Sequence, residues 1–237
     1  MACPSWATIV AGPHNSNDLG SGTAASTVAT ALTQVPIHSL IVCSVSIPVV
    51  ATFSSVADNK DGPNTPYTAA IAIHSFATTD QQVGIYYFEN ANPTTQQDVT
   101  VTLTITGGNR QFLAIACKSY TGVALSSSLD LHPAARDYNS TALAPQLASN
   151  STPAVAGELV LSVAQMFGNQ ETAGTNYTLG DSCTTTLLFS QTWIQTTATA
   201  TNGAFGSTDT AWTEELVSFE PPGAVSSTTS PKRVVVY

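Results

Sequence analysis

From Asp98 to Thr106 the chain alternates strictly: Val99, Val101, Leu103 and Ile105 stand between Thr100, Thr102, Thr104 and Thr106. A period of two places the four apolar residues on one side of an extended backbone, so this segment predicts a strand with one face in a core and one in water. Tyr67, Ala69, Ile71 and Ile73 repeat the pattern in "YTAAIAIH". Four more runs, "SLIVCSVSI" (39–47), "VGIYYFEN" (83–90), "QFLAIACKSY" (111–120) and "GELVLSVAQMF" (157–167), are apolar on both faces. They predict strands buried on both sides, or covered by a loop or a partner. Further strands are expected at "TTTLLFSQTWI", "TTATAT" and "AWTEELVSFE" (184–194, 196–201, 211–220). No segment of useful length carries the 3.6-residue helical period.

Turn formers separate these runs: "DNKDGPNTP" before Tyr67, "NANP" at 90–93, "GGNR" at 107–110, "TGVALSSS" after Tyr120 and "FGNQETAGTN" after Met166. Short strands at such spacing predict a β-sandwich or a barrel, and an all-β, antiparallel β-sandwich is the leading expectation. Residues 129–156 form the least regular stretch, rich in Pro, Asn, Ser and Ala, and read as a long loop with one short strand near "ALAPQL". A loop of that length in a compact fold is functional or lies over a sheet. The chain divides into residues 1–22, an N-terminal arm or first strand; 23–222, the sandwich; and 223–237, a linker and terminal strand.

Only 9% of the residues are Asp, Glu, Lys or Arg, against roughly 25% in an ordinary soluble domain, so Thr, Ser, Asn, Gln and Ala must build the surface. A net charge of −9 and a pI near 4.5 repel phosphate backbones, and the six basic residues are scattered; no nucleic-acid partner is expected. No run reaches the roughly 20 apolar residues of a membrane span, and no membrane association is expected. The first twenty residues lack a basic stretch followed by an apolar one, so they do not read as a secretory signal. Cys3, Cys43, Cys117 and Cys183 have no Cys-x-x-Cys spacing, which argues against zinc. Buried free thiols are the expectation, with a single bridge of undeduced pairing as the alternative.

No Gly-x-Ser-x-Gly elbow is present, and His14, His38, His74 and His132 lie apart without a metal-ligand spacing. Asp58, Asn59 and Asp61 offer oxygen ligands for calcium but lack the EF-hand spacing, so a polar hairpin is the better reading. Glu89 follows Tyr86, Tyr87 and Phe88, where a carboxylate beside an aromatic face suits a sugar, although a strand-end Glu in solvent is the better account. Asn139, Asn150 and Asn176 open Asn-x-Ser/Thr sequons, which a Thr/Ser-rich chain produces by chance. The expectation is a protein that is not an enzyme and needs no cofactor or metal. Tyr86, Tyr87, Trp193 and Trp212 are the candidates for stacking against a sugar, with core packing as their ordinary role.

The order of several segments resembles jelly-roll-type β-sandwich modules of bacterial surface proteins and phage structural proteins. The resembling parts are "SSVADNKDGPNTPYTAA", in which Pro63 and Pro66 interrupt the hairpin run, then "QVGIYYFENA", "VTVTLTITGGNRQFLAIACKSYTGV" with "SSSLDL", "AGELVLSVA", "NYTLG" and "AWTEELVSFEPP". The resemblance implies a jelly-roll-like fold and structural or binding roles rather than catalysis. The terminal Lys232, Arg233, Val234, Val235, Val236 and Tyr237 have high β preference but cannot hold a fold alone, and read as an arm that pairs with a sheet edge. The leading expectation is therefore a virion structural protein, a capsid decoration or cement protein on the particle surface, made in the host cytoplasm. Its expected partners are further copies of itself or the major capsid protein. The alternative is a carbohydrate-binding or adhesin module with a surface glycan as partner; a glycosidase or lyase comes third.

Overall fold

The computed structural model describes residues 8–20, 25–60, 66–75, 81–92, 94–107, 112–130, 136–139, 144–148, 150–166, 172–206, 209 and 211–223. Among them are thirteen strands and no helix: β1 (Val10–Leu19), β2 (Thr27–Val35), β3 (Ser39–Pro48), β4 (Thr52–Asp58), β5 (Thr68–Ser75), β6 (Gln81–Ala91), β7 (Gln97–Thr106), β8 (Leu113–Thr121), β9 (Arg136–Asn139), β10 (Leu159–Met166), β11 (Thr178–Cys183), β12 (Leu188–Ile194) and β13 (Trp212–Phe219). They form three sheets, ordered β1-β8-β3-β6-β5, β2-β7-β4 and β11-β12-β10-β13-β9. Every neighbouring pair is antiparallel. The protein is an all-β, antiparallel β-sandwich.

The first sheet is the middle layer, and the alternation of its side chains shows why. Ile41, Cys43, Val45 and Ile47 of β3 pack with Val99, Val101, Leu103 and Ile105 of β7 in the second sheet. Leu40 and Val42 point the other way, toward Leu159, Leu161 and Val163 of β10 in the third sheet. Every position of β3 is buried, as its two apolar faces require. β10 is also buried throughout, but its outer face is closed by loops: Val160 packs with Leu216 and with Leu147 from the irregular stretch. The two alternatives for a doubly apolar run thus occur in one molecule. β7 keeps its Thr face half-exposed, as its period predicts.

β1 joins the layers. Its backbone pairs with β8, while its side chains are shared by position. The even residues reach β11 and the turn beyond it: His14 Nδ1 lies 2.6 Å from Asp181 Oδ1, Ser16 Oγ donates to Ser182 O, and Asp18 Oδ2 accepts Thr185 N at 2.8 Å. The odd residues reach β2: Asn15 and Asn17 donate through their amides to Ala31 O and Ala29 O at 3.0 and 2.9 Å. At the other edge the chain itself crosses between layers, since Tyr67 N donates to Val56 O of β4 just before β5 runs beside β6.

Several expectations need correcting. Cys43 and Cys117 are not free thiols; they face each other in register across β3 and β8, with Cα atoms 4.1 Å apart, and form a disulfide. Cys183 is a buried free thiol, and Cys3 lies outside the described residues. Residues 196–201 form no strand; only Thr201 makes an isolated bridge, to Ser151. The strand within the irregular stretch is β9, paired with β13, and the described part of "ALAPQL" is loop. Within residues 1–22, Val10–Leu19 form the first strand, and residues 1–7 and 21–22 lie outside the described residues. The terminal segment with Lys232–Tyr237 lies outside the described residues.

Candidate ligand groove

The outer face of the third sheet carries the candidate site. On β12, Phe189, Gln191 and Trp193 share that face, while Leu188 packs against the middle sheet. Two loops, 172–177 and 199–206, rise on either side of Trp193. They are stapled by Gln191, which is fully buried: its Oε1 accepts Gly174 N at 2.8 Å, and its Nε2 donates to Gly203 O and Ala204 O. A buried amide with both ends satisfied costs little and fixes geometry. The loops also touch directly, Gly206 N donating to Thr172 O at 2.8 Å. A Cβ on Gly174 would collide with the Ala204 carbonyl oxygen, so the crossing requires glycine there.

Between the loops lies a groove of about 370 Å³. Trp193 and Tyr177 meet in it edge to face with ring centroids 5.7 Å apart, and Phe205 adds a third aromatic side chain to the lining. The Tyr177 hydroxyl is 2.9 Å from Thr201 Oγ1; burial above all, with the charge of Glu214, pushes its pKa up to about 12, so it is a neutral hydrogen-bonding group at physiological pH. Exposed Asn150, Thr175, Asn176 and Thr199 supply amides and hydroxyls along the walls. No charged side chain among the described residues lines the groove. A concave site with an aromatic surface and a few polar groups that both donate and accept suits a neutral, hydroxyl-rich ligand.

The four aromatic candidates from the sequence do not converge. Trp193 alone lines the groove. Trp212 is 2% exposed and packs under Phe205 with Phe189 and Met166, so it offers no face to a ligand. Tyr86 is buried, stacked on Phe53 at 4.7 Å, and Tyr87 meets Phe219 edge-on between the middle and third sheets. Glu89 holds a loop, accepting Ser127 N, Ser128 N and Ser128 Oγ. Asp58 and Asn59 likewise accept Lys60 N and Thr100 N, and Asp61 lies outside the described residues. Among the described residues no three His, Cys, Asp or Glu side chains are grouped to hold a metal ion. Two of the sequon asparagines, Asn150 and Asn176, prove to be groove residues. Tyr177 and the 199–202 wall escaped the sequence reading; the Asn202-Gly203 pair, a turn signal directly after "TTATAT", was the available hint.

Comparison of the chain with models of known protein families, with curated proteins and with solved structures finds no match.

Proposed function

We propose that this protein is a non-catalytic module displayed on a surface, and that its groove holds a neutral carbohydrate chain. The observation that carries the reading is the Trp193–Tyr177 pair set between walls of Asn and Thr side chains with no charge among them. A sugar presents an apolar face to an aromatic ring and hydroxyls to its flanks, and this lining meets both. The protein's net charge of −9 disfavours acidic glycans. The test is tryptophan fluorescence titrated with cellohexaose and chitohexaose after a screen on a glycan array. Saturable binding that Trp193→Ala weakens by roughly 30-fold, about 2 kcal/mol, supports the reading; an array without hits, or binding unchanged in the variant, removes it.

A second reading, a virion decoration or cement protein assembled with its own copies or a major capsid protein, is favoured by topology. The orders β1-β8-β3-β6 and β2-β7-β4 support a jelly roll, an architecture shared by viral capsid and lectin domains. Here Lys232–Tyr237 is the docking strand. A chain ending at Gly223 is expected to lose co-sedimentation with particles, and retained co-sedimentation argues against the arm.

A further inference from the structure

Four carboxyl groups gather where β10 begins and β13 ends. Glu158 is fully buried; its Oε1 accepts Val155 N at 2.8 Å and its Oε2 accepts Ser218 Oγ at 2.6 Å. Asp130 stands beside it: its Oδ2 accepts Ala154 N at 2.8 Å, the amide next to the one that Glu158 holds, and its backbone N donates to Ser218 O at 3.0 Å. Burial above all, with Asp130 beside it, pushes Glu158 up to about 7. Glu220 is raised as well, by burial and then by Asp130. Glu89 faces the same segment through Ser127 and Ser128. Among the described residues no Lys, Arg or His pairs with any of the four. A buried carboxyl group with a second one beside it and no cation to offset it ionises only at a cost.

The pair is tied to both walls of the groove. Ala154 and Val155, whose amides it holds, end a segment that begins with groove residue Asn150; Ser151 exchanges two backbone hydrogen bonds with Thr201, at 2.7 and 2.8 Å. The Glu158 backbone oxygen accepts Gln195 N at 2.9 Å, and the Gln195 amide closes the turn to Thr199 through bonds of 2.9 and 3.1 Å. We propose that Glu158, set beside Asp130, is a proton-operated latch on the groove: with Glu158 protonated, the 150–155 segment and the 195–201 rim are held in place, and with it ionised in its buried position they loosen, so that neutral glycan binds more tightly in acid than in alkali. The choice of ligand rests on the glycan reading above; the latch does not.

Amide hydrogen exchange on the full chain without ligand tests the latch. Protection at Ser151, Ala154, Val155, Thr199 and Thr201, corrected for the intrinsic pH dependence of exchange, is expected to fall at least about tenfold between about pH 6 and about pH 8. Glu158→Gln keeps an acceptor for Val155 N without titrating, and should hold the protection of the acidic state at both pH values. Asp130→Asn removes the neighbouring charge and should move the midpoint of the wild-type change toward acid, a readout that remains if Glu158→Gln fails to fold. Unchanged wild-type protection, or the same fall in Glu158→Gln, overturns the latch. Cellohexaose affinity at the two pH values then asks whether it reaches the groove: weaker binding in alkali that Glu158→Gln abolishes supports the link, and equal affinity breaks it. Absence of binding at either pH counts against the glycan reading alone, with the latch decided by exchange.

Discussion

Trp193 and Trp212 stand on the same face of the same sheet and meet opposite surroundings. Trp212 lies beneath Phe205 of the covering loop, whereas Trp193 sits where the two loops part. Trp212→Ala is expected to lower stability by about 3–5 kcal/mol through the cavity it leaves, and Trp193→Ala by far less; urea denaturation of both variants checks the contrast. Nothing in the local pattern separates the two, because whether the 199–206 loop folds back over a tryptophan depends on its anchoring by Gln191 on another strand. The Cys43–Cys117 bridge was hidden for the same reason. It depends on the register of β3 against β8, residues 74 apart in the chain. Replacing both cysteines by alanine should cost about 2–4 kcal/mol, measured as the shift in denaturation midpoint, and a reducing agent should have no further effect on the variant.

Strands differ in how openly the sequence displays them. β7 was legible because its Val, Leu and Ile alternate with Thr against a single core, and β3 because both of its faces are apolar. β1 was legible only as one of two readings, since "PHNSND" holds no apolar residue and its partners on both sides are backbone atoms and polar side chains of other sheets. Asn15→Ala and Asn17→Ala should each cost about 1 kcal/mol, the net value of an intramolecular hydrogen bond, with faster amide exchange along β2 as the local signature. The "TTATAT" segment illustrates the reverse error, where β-favouring residues stand in a loop because Gln195 binds the backbone of Thr199 and prevents extension. The groove was therefore half legible: its tryptophan could be named, but its walls are loops whose position depends on Gln191 and on a glycine crossing. Gly174→Ala should force those loops apart and weaken ligand binding while leaving the strands intact, as amide exchange within β10 and β13 would show.

At the scale of the whole molecule, one middle sheet serves two cores, and the acid pair lies beyond it at the end of the third sheet. Glu158 gives the protein a stability term with a definite sign. An ordinary Glu loses its proton near 4.5 and Glu158 near 7, so between these values the folded chain retains a proton that the unfolded chain has released. Its contribution is full below about pH 4.5 and lost as the pH rises through about 7, at most about 3 kcal/mol. Denaturation midpoints at about pH 5 and about pH 8 should therefore converge in Glu158→Gln relative to wild type. Asp98 acts oppositely: hydrogen bonds from the Gln34 backbone and side chain hold its carboxyl below the usual range, so its contribution is lost as the pH falls. The first strand has a wider effect. Because Val10–Leu19 is stitched to each of the three layers, the molecule has no seam along which a smaller unit could be excised. A fragment carrying only residues 123–223 would bare Leu159, Leu161 and Val163 to water, and one lacking the first nineteen residues would leave the edge of β8 unpaired and β2 and β11 without their polar ties to the middle sheet.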